Sequence, residues 1–282
     1  MRAGRPSRTA LAAAIHRAEH QVLEHGRIFS DPLALRILGR DAETIARHAD
    51  PRPGRRLMRL FIAFRTRFAE EALAAALERG FCQVVILGAG LDTYACRSAS
   101  LGGQRVFEVD HPATQEWKRA RLAAAGIELP RALTFAPVDF ERETLDDGLA
   151  AAGFERGRRA FFTWLGVVPY LTEKAIASTL GFIGGLPGGA HVVFDYSNPP
   201  DSFAPRMRAA HDARAARLAE LGESLVTYFE TAALHARLGA LGFSTIEDLS
   251  PVEIASRCSP DQALAPARGG GHVLHASTAR DA

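Results

Sequence analysis

Leu57, Leu60, Phe61, Phe64, Phe68, Ala72, Ala76 and Leu77 recur at three- and four-residue intervals, the spacing of one apolar face on an α-helix. The run begins after the breaker DPRPG, Asp50 to Gly54, and Gly80 ends it as a C-cap residue would. It predicts one long amphipathic helix. Upstream, an Ala-rich segment from Thr9 to about Glu24 and a shorter one opened by Asp31 and Pro32 also read as helical, with Asp31 suited to the N-cap and Pro32 to the first turn. From residue 81 the period changes. Apolar runs at 83–88, 105–109, 133–138, 160–166 and 190–196 alternate with helical patterns at 112–125, 141–152 and 172–183, the order of βαβ units in a parallel sheet covered on both faces. After Asp195 the Pro-rich NPPDSFAP fits neither period. Helices from about Arg206 to Leu221 and around Thr231 to Leu241 follow, then GFSTIEDL and GGGHVLHAST, two strands suited to an antiparallel pair closing the sheet edge. No internal repeat is visible.

Composition narrows the setting. At 282 residues with 47% hydrophobic content the chain supports a large core. The 34 basic and 32 acidic residues are spread along it with no dense basic block, so nucleic acid is not implied as a partner. Only Lys118 and Lys174 are lysines, and with the abundant alanine this suggests a GC-rich bacterial coding sequence. Cys82, Cys96 and Cys258 form no CxxC pair and no framework, which reads as free thiols in a reducing cytosol. The basic start MRAGRPSR runs into a helix carrying His16, Arg17, Glu19 and His20 without an apolar stretch or cleavage site. An Arg- and Ala-rich transit peptide is the alternative reading of that start. No segment approaches the ~18 consecutive apolar residues of a membrane span, and the expected location is the cytoplasm.

The chemistry centres on VVILGAGLDTYACR, residues 84–97. Gly88-Ala89-Gly90 directly after a buried strand lets a ligand approach the backbone, because glycine lacks Cβ and accepts φ > 0. A dinucleotide fingerprint would place a third glycine at position 93, where this chain has Thr93. The next strand, RVFEVD, ends on Glu108 and Asp110, about 20 residues on, where an acid accepts hydrogen bonds from ribose hydroxyls. The third ends in PVDFER, where Asp139 suits the exocyclic amine of adenine and Phe140 its ring edge. Together these strand ends indicate a nucleoside without requiring phosphates.

Those residues resemble a known family. RT in the helix before the first strand, LGAGLDT, FEVDHPATQEWK, VDF and WLGVVPYLT are similar to the leucine carboxyl methyltransferase-like branch of the class I S-adenosylmethionine-dependent methyltransferases, over roughly residues 15–250. The resemblance implies an α/β fold: a Rossmann-like seven-stranded methyltransferase sheet, mostly parallel with an antiparallel edge strand, with added N-terminal helices. It implies S-adenosyl-L-methionine as cofactor. By position, Arg65 matches the arginine for the cofactor carboxylate, Gly88 and Gly90 the turn, Asp110 the acid after the second strand, and Asp139 and Phe140 the adenine pair. An arginine fork suits a carboxylate better than a lysine, with Arg67 as the alternative. Asp92 either receives the cofactor's amino group or caps the next helix, and Thr93 is either part of that edge or a capping residue. Where the phosphatase-methylating members carry a glutamate before the fourth-strand turn, this chain has Leu165, which puts that substrate class in doubt.

Other signals compete. His16-Arg17-Ala18-Glu19-His20 satisfies H-x-x-E-H but lacks an evident third ligand, and no metal is expected. His272 and His275, three apart in a strand, face opposite sides. Trp164, Pro169 and Tyr170 follow the fourth strand where an acceptor would lie, with core packing as the plain account; Tyr170 is the candidate for acceptor positioning. Arg206, Arg208, Arg214 and Arg217 give a late helix a basic face, either solvated surface or a lid over an acidic substrate. The expected division is a helical lid over residues 1–80 and a core over 81–282 with a lid insertion around 197–240. The function expected is O-methylation of a small-molecule carboxylate or hydroxyl. A nicotinamide-dependent oxidoreductase using Glu108 and a non-catalytic nucleoside-binding protein are the rivals.

Overall fold

The strands β1 (Gln83–Leu87), β2 (Arg105–Asp110), β3 (Leu133–Pro137), β4 (Ala160–Trp164) and β5 (Ala190–Ser197) are paired in parallel, while β6 (Phe243–Leu249) and β7 (Gly271–Thr278) close one edge, β7 running antiparallel to both neighbours. Their order is β3-β2-β1-β4-β5-β7-β6. The structure is a computed structural model that describes residues 7–98, 102–258 and 270–278; most of MRAGRPSR and the side chain of Cys258 lie outside the described residues. Cys82 and Cys96 are free thiols. Among the described residues no helix is long and apolar enough to cross a membrane.

Alternation along each strand sorts the core into two layers. Val84, Ile86, Val106, Phe161 and Val193 meet the apolar face of α4 (Pro53–Glu78) through Phe64, Phe68 and Leu73. Val85, Leu87, Phe107, Phe162 and Phe194 face α7 (Leu145–Ala151), α8 (Glu173–Gly184) and α10 (Thr231–Ala240). A third cluster joins α1 (Arg8–Leu23), α2 (Ala34–Leu38) and α3 (Ala42–His48) to Leu91 and to Leu122 on α6 (Pro112–Ala124).

Three expected boundaries shift for local reasons. Asp31 does not cap α2, whose N-cap is Leu33. Its fully buried carboxylate accepts instead from the Leu33 N–H at 3.0 Å and from Thr93 Oγ1 at 2.7 Å. The run expected as helix 141–152 begins at Leu145, because Thr144 caps it while the Arg142 and Glu143 N–H groups donate to the Asp139 carbonyl. The fourth strand stops at Trp164, since Gly166 has φ +73°.

The histidines of H-x-x-E-H serve the α1–α4 interface. His20 Nε2 accepts from the Ile28 and Phe29 N–H groups, and Nδ1 faces Glu24 at 3.3 Å. Glu24 takes a two-pronged pair from Arg59, both contacts 2.7 Å, and Glu19 lies 3.3 Å from His16. Burial holds both imidazoles below their ordinary pKa. At its other end α1 is held by Glu223, whose carboxylate accepts from the Arg8 and Thr9 N–H groups at 2.6 and 2.8 Å, the charge a helix N-terminus favours.

Candidate active site at the carboxyl edge of the sheet

Strand order reverses between β1 and β4, and in open α/β sheets ligands bind in the crevice at that switch. Gly88 has φ +64° and Gly90 φ +48°, conformations that suit glycine. The Gly88 and Ala89 N–H groups both donate to the Val109 carbonyl, at 2.7 and 3.1 Å, which ties the turn to β2. A Cβ on Gly88 would collide with Val167 Cγ2, and one on Gly90 would sit 2.9 Å from Ala10 Cβ. The turn after β4 and the start of α1 therefore both close on the glycine turn.

Asp110 stands beside it. One carboxylate oxygen accepts from the Gly90 N–H at 2.6 Å and the other from the His111 N–H at 2.7 Å. Burial raises its carboxyl pKa against these bonds. One strand further on, the Val138 N–H donates to the Asp110 carbonyl and carries the chain to Asp139. The Asp139 carboxylate accepts from the Glu141 N–H at 3.1 Å, lies 4.0 Å from His111 Nε2 and is 28% exposed, while Phe140 packs on the core. Asp110 and Asp139 thus share one edge with His111 between them.

Arg65 enters from α4. Its Nη1 donates to Asp195 Oδ2 at 2.8 Å, and Asp195 Oδ1 accepts from the Gly166 N–H at 2.5 Å. A Cβ on Gly166 would lie 2.6 Å from Arg65 Nη2, so the guanidinium rests on the turn after β4. Arg65 Nε is buried without a partner. Arg67, the alternative, pairs with Glu71 on the exposed face of α4. Asp195 was not singled out from the sequence; the available signal was a lone acid inside the otherwise apolar run AHVVFDYS.

Asp92 accepts from the Tyr94 N–H at 2.7 Å and lies 3.5 Å from Arg17 Nη1, while Arg17 Nη2 donates to the Leu91 carbonyl. Burial would raise the Asp92 carboxyl pKa, but the charges of Arg17, Lys118 and Arg97 outweigh it and hold it low. Arg17, hidden inside the H-x-x-E-H motif, is thus a second cation at the glycine turn that the sequence did not reveal. Thr93 stands at the N-cap position of the short helix α5 (Tyr94–Arg97), but its hydroxyl bonds Asp31 and caps no helix N–H. A small cavity beside Asp92 is lined by Thr66, Glu70, Tyr94, Thr163 and Leu165.

Glu108 is also corrected. It is 1% exposed and bonded to Lys118 Nζ at 2.5 Å, so it faces the core beneath α6 and cannot reach a ribose. Trp164 is fully buried core. Tyr170 ends a 3-10 turn, Val168–Tyr170, that follows β4. On α9 (Pro205–Glu220), Arg208 pairs with Asp201 and Asp212, while Arg214 and Arg217 are exposed; the Arg206 side chain lies outside the described residues.

On the other face of β5 the same edge is braced by Asp248. It accepts from Tyr196 Oη at 2.6 Å and lies 2.8 Å from His235 Nε2 and 2.9 Å from His272 Nδ1. Burial opposes its charge, yet the bonds from His272, Tyr196 and His235 hold its carboxyl below the usual range. A depressed carboxyl stabilises above the unfolded pKa of about 4 and loses that contribution as pH falls through its lower folded value. Asp248→Asn should therefore cost about 1–3 kcal/mol at neutral pH, and its deficit against wild type in urea unfolding should shrink below about pH 4.

Residues 10–184 match the leucine carboxyl methyltransferase family. YktD of Bacillus subtilis strain 168, provisionally named an S-adenosyl-L-methionine-dependent methyltransferase, is 36% identical over 194 residues, 67% of this chain and 63% of that one. A relative of the same provisional name from Mycolicibacterium smegmatis is 31% identical over 176 residues, 62% of this chain and 55% of its own length. The chain thus spans about six tenths of the length of these curated relatives. The solved magnesium protoporphyrin IX methyltransferase of Synechocystis superposes with a TM-score of 0.49 at 12% identity over 95% of this chain and 99% of that one, a likeness too distant to bear on the site. The match across more than half of the sequence, the glycine turn included, makes this chain a member of the leucine carboxyl methyltransferase family.

Proposed function

We propose that this site binds S-adenosyl-L-methionine and that the protein methylates an oxygen of a small molecule. The observation that carries the reading is Arg65: a buried guanidinium with one N–H bound to Asp195 and an Nε–H without a partner, set at the switch point beside the glycine turn. A buried donor left unpaired costs free energy, and the carboxylate of a methionine end satisfies it with a charge-assisted bond. Asp110 accepts from the ribose hydroxyls through lone pairs that the Gly90 and His111 N–H groups leave open, Asp139 takes the adenine amine, and Phe140 packs on the ring. Asp92 receives the amino group. When bound, the cofactor supplies an electrophilic methyl group on a sulfonium. The chain's own part is to align donor and acceptor, which contributes up to about 7–11 kcal/mol in well-oriented systems, and to exclude water beneath α1 and α9. Tyr170 positions the acceptor. Leu165 at the cavity wall, in place of an acid, supports a small molecule over a phosphatase tail.

Calorimetry with S-adenosylmethionine, S-adenosylhomocysteine and NAD tests this. Both sulfur nucleosides should bind and NAD should not, since Glu108 is committed to Lys118. Asp139→Ala should weaken S-adenosylhomocysteine about tenfold, roughly 1.4 kcal/mol. Binding of NAD alone would favour the oxidoreductase, and binding of none would sink the reading.

A further inference from the structure

A second polar chain links α9 to the segment bonded to the turn after β4. His211 on α9 has Nδ1 3.2 Å from Asp212 Oδ1 and Nε2 3.0 Å from Tyr228 Oη. The Phe203 ring meets the imidazole edge-on at 5.3 Å between centroids. A carboxylate only accepts, so Nδ1 carries the hydrogen toward Asp212, and in that tautomer Nε2 accepts from the Tyr228 hydroxyl.

Its location follows from contacts on three sides. The Val226 and Thr227 N–H groups donate to the Pro169 carbonyl, at 2.8 and 3.4 Å, and Thr227 Oγ1 donates to the Leu171 carbonyl, which fixes Tyr228 against the turn holding Tyr170. Met207, one turn before His211 on the same face of α9, brings Cε to 3.6 Å from where a Gly270 Cβ would stand. The Phe61 ring approaches within 3.3 Å of the corresponding Gly271 position, and the Arg65 guanidinium lies 5.7 Å over that ring. The inner face of α9, the β4 turn and Arg65 therefore border one region above the ends of β4 and β5.

We propose that Asp212, His211 and Tyr228 form a proton relay for a hydroxyl acceptor, so that the substrate of this site is an alcohol or a phenol and not a carboxylic acid. The inference rests on the cofactor reading above. A carboxylate is already ionised at neutral pH and gives up no proton, whereas a hydroxyl must lose one as it reacts. The acceptor oxygen bonds to the methyl carbon as the carbon–sulfur pair returns to sulfur. The O–H pair stays on that oxygen, and its proton passes to Tyr228 Oη as Tyr228 gives its own to His211 Nε2. Asp212 stabilises the resulting imidazolium, which then releases its proton to solvent. The products are a methyl ether and the demethylated cofactor. The charged and titratable groups around the relay are Arg208, which shares Asp212 and also binds Asp201, together with Arg214 and Tyr170 near Tyr228. Burial raises the Tyr228 hydroxyl pKa, so it transmits a proton without ionising at neutral pH.

Histidine-selective nitrogen NMR on the intact protein should show His211 protonated at Nδ1, with an Nε2 signal that moves in Tyr228→Phe. Initial rates with S-adenosylmethionine on phenols, aliphatic alcohols and carboxylic acids, from about pH 5.5 to 9, supply the second arm. Hydroxyl acceptors should be methylated; His211→Gln should lower kcat on them about 10²–10⁴-fold with KM little changed. S-adenosylhomocysteine affinity should stay within about twofold of wild type in that variant. A His211→Gln rate within about threefold of wild type on hydroxyls, methylation of carboxylic acids alone, or a Tyr228→Phe substitution that leaves the His211 signals unmoved would each overturn the relay. Failure of wild type to bind S-adenosylhomocysteine would instead overturn the cofactor reading and leave the NMR result standing.

Discussion

Arg65→Ala is expected to weaken S-adenosylhomocysteine binding about 100-fold or more, because truncating one partner of a buried charge pair costs 2–5 kcal/mol or above. The same change leaves Asp195 buried without its cation, and an uncompensated buried charge destabilises by about 3–5 kcal/mol. The two effects separate in the double variant Arg65→Ala/Asp195→Ala, which should recover most of the lost Tm and none of the affinity. Arg65→Lys should fall between, since an ammonium satisfies Asp195 but cannot extend a second planar prong. Calorimetry on variants shown by circular dichroism to be folded decides it. Wild-type affinity in the double variant would move the carboxylate-binding role away from Arg65.

A loss of stability of the same size is expected at Lys118. Both members of the Lys118–Glu108 pair are 1% exposed; Lys118 bonds Glu108 Oε2, and Oε1 is buried without a hydrogen-bond partner. Burial pushes the Glu108 carboxyl up despite the lysine beside it. Lys118→Ala should therefore cost about 3–5 kcal/mol, a fall in Tm on the order of 10 °C. Replacing both members by apolar residues of similar volume, Lys118→Met with Glu108→Leu, should return stability to within about 1–2 kcal/mol of wild type. Thermal melts of the single and double variants give the comparison. A single variant as stable as wild type would mean that Glu108 is neutral in the fold and needs no cation.

Much of this edge was legible in the sequence because it is local. The glycine turn, Asp110 and Asp139 each sit at the end of an apolar run whose period marks a strand, and parallel strands joined by crossovers bring their carboxyl ends to one edge. Their meeting followed from the order of elements alone. Glu108 was misread for an equally physical reason. Two residues before Asp110 it shares a face of β2 with Asp110, but at strand depth rather than at the edge, and Lys118 reaches it only once α6 has crossed back over the sheet. Asp31 was misread because its partner Thr93 is 62 residues away, and a capping pattern sees only the next turn.

By itself the sequence determined the strands and their covered faces, the glycine turn, the acids at the strand ends as site candidates, and the family to which the chain belongs. All of these are written in short-range periods and in motifs of a few residues. Only the tertiary structure decided that Arg65 leans on Asp195 and Gly166, that Arg17 stands at the glycine turn, that Glu108 belongs to the core, and that His211 and Tyr228 meet beside the β4 turn. Those are contacts between elements far apart in the chain. Burial and hydrogen-bond demand choose such partners only after the sheet has fixed where each element lies.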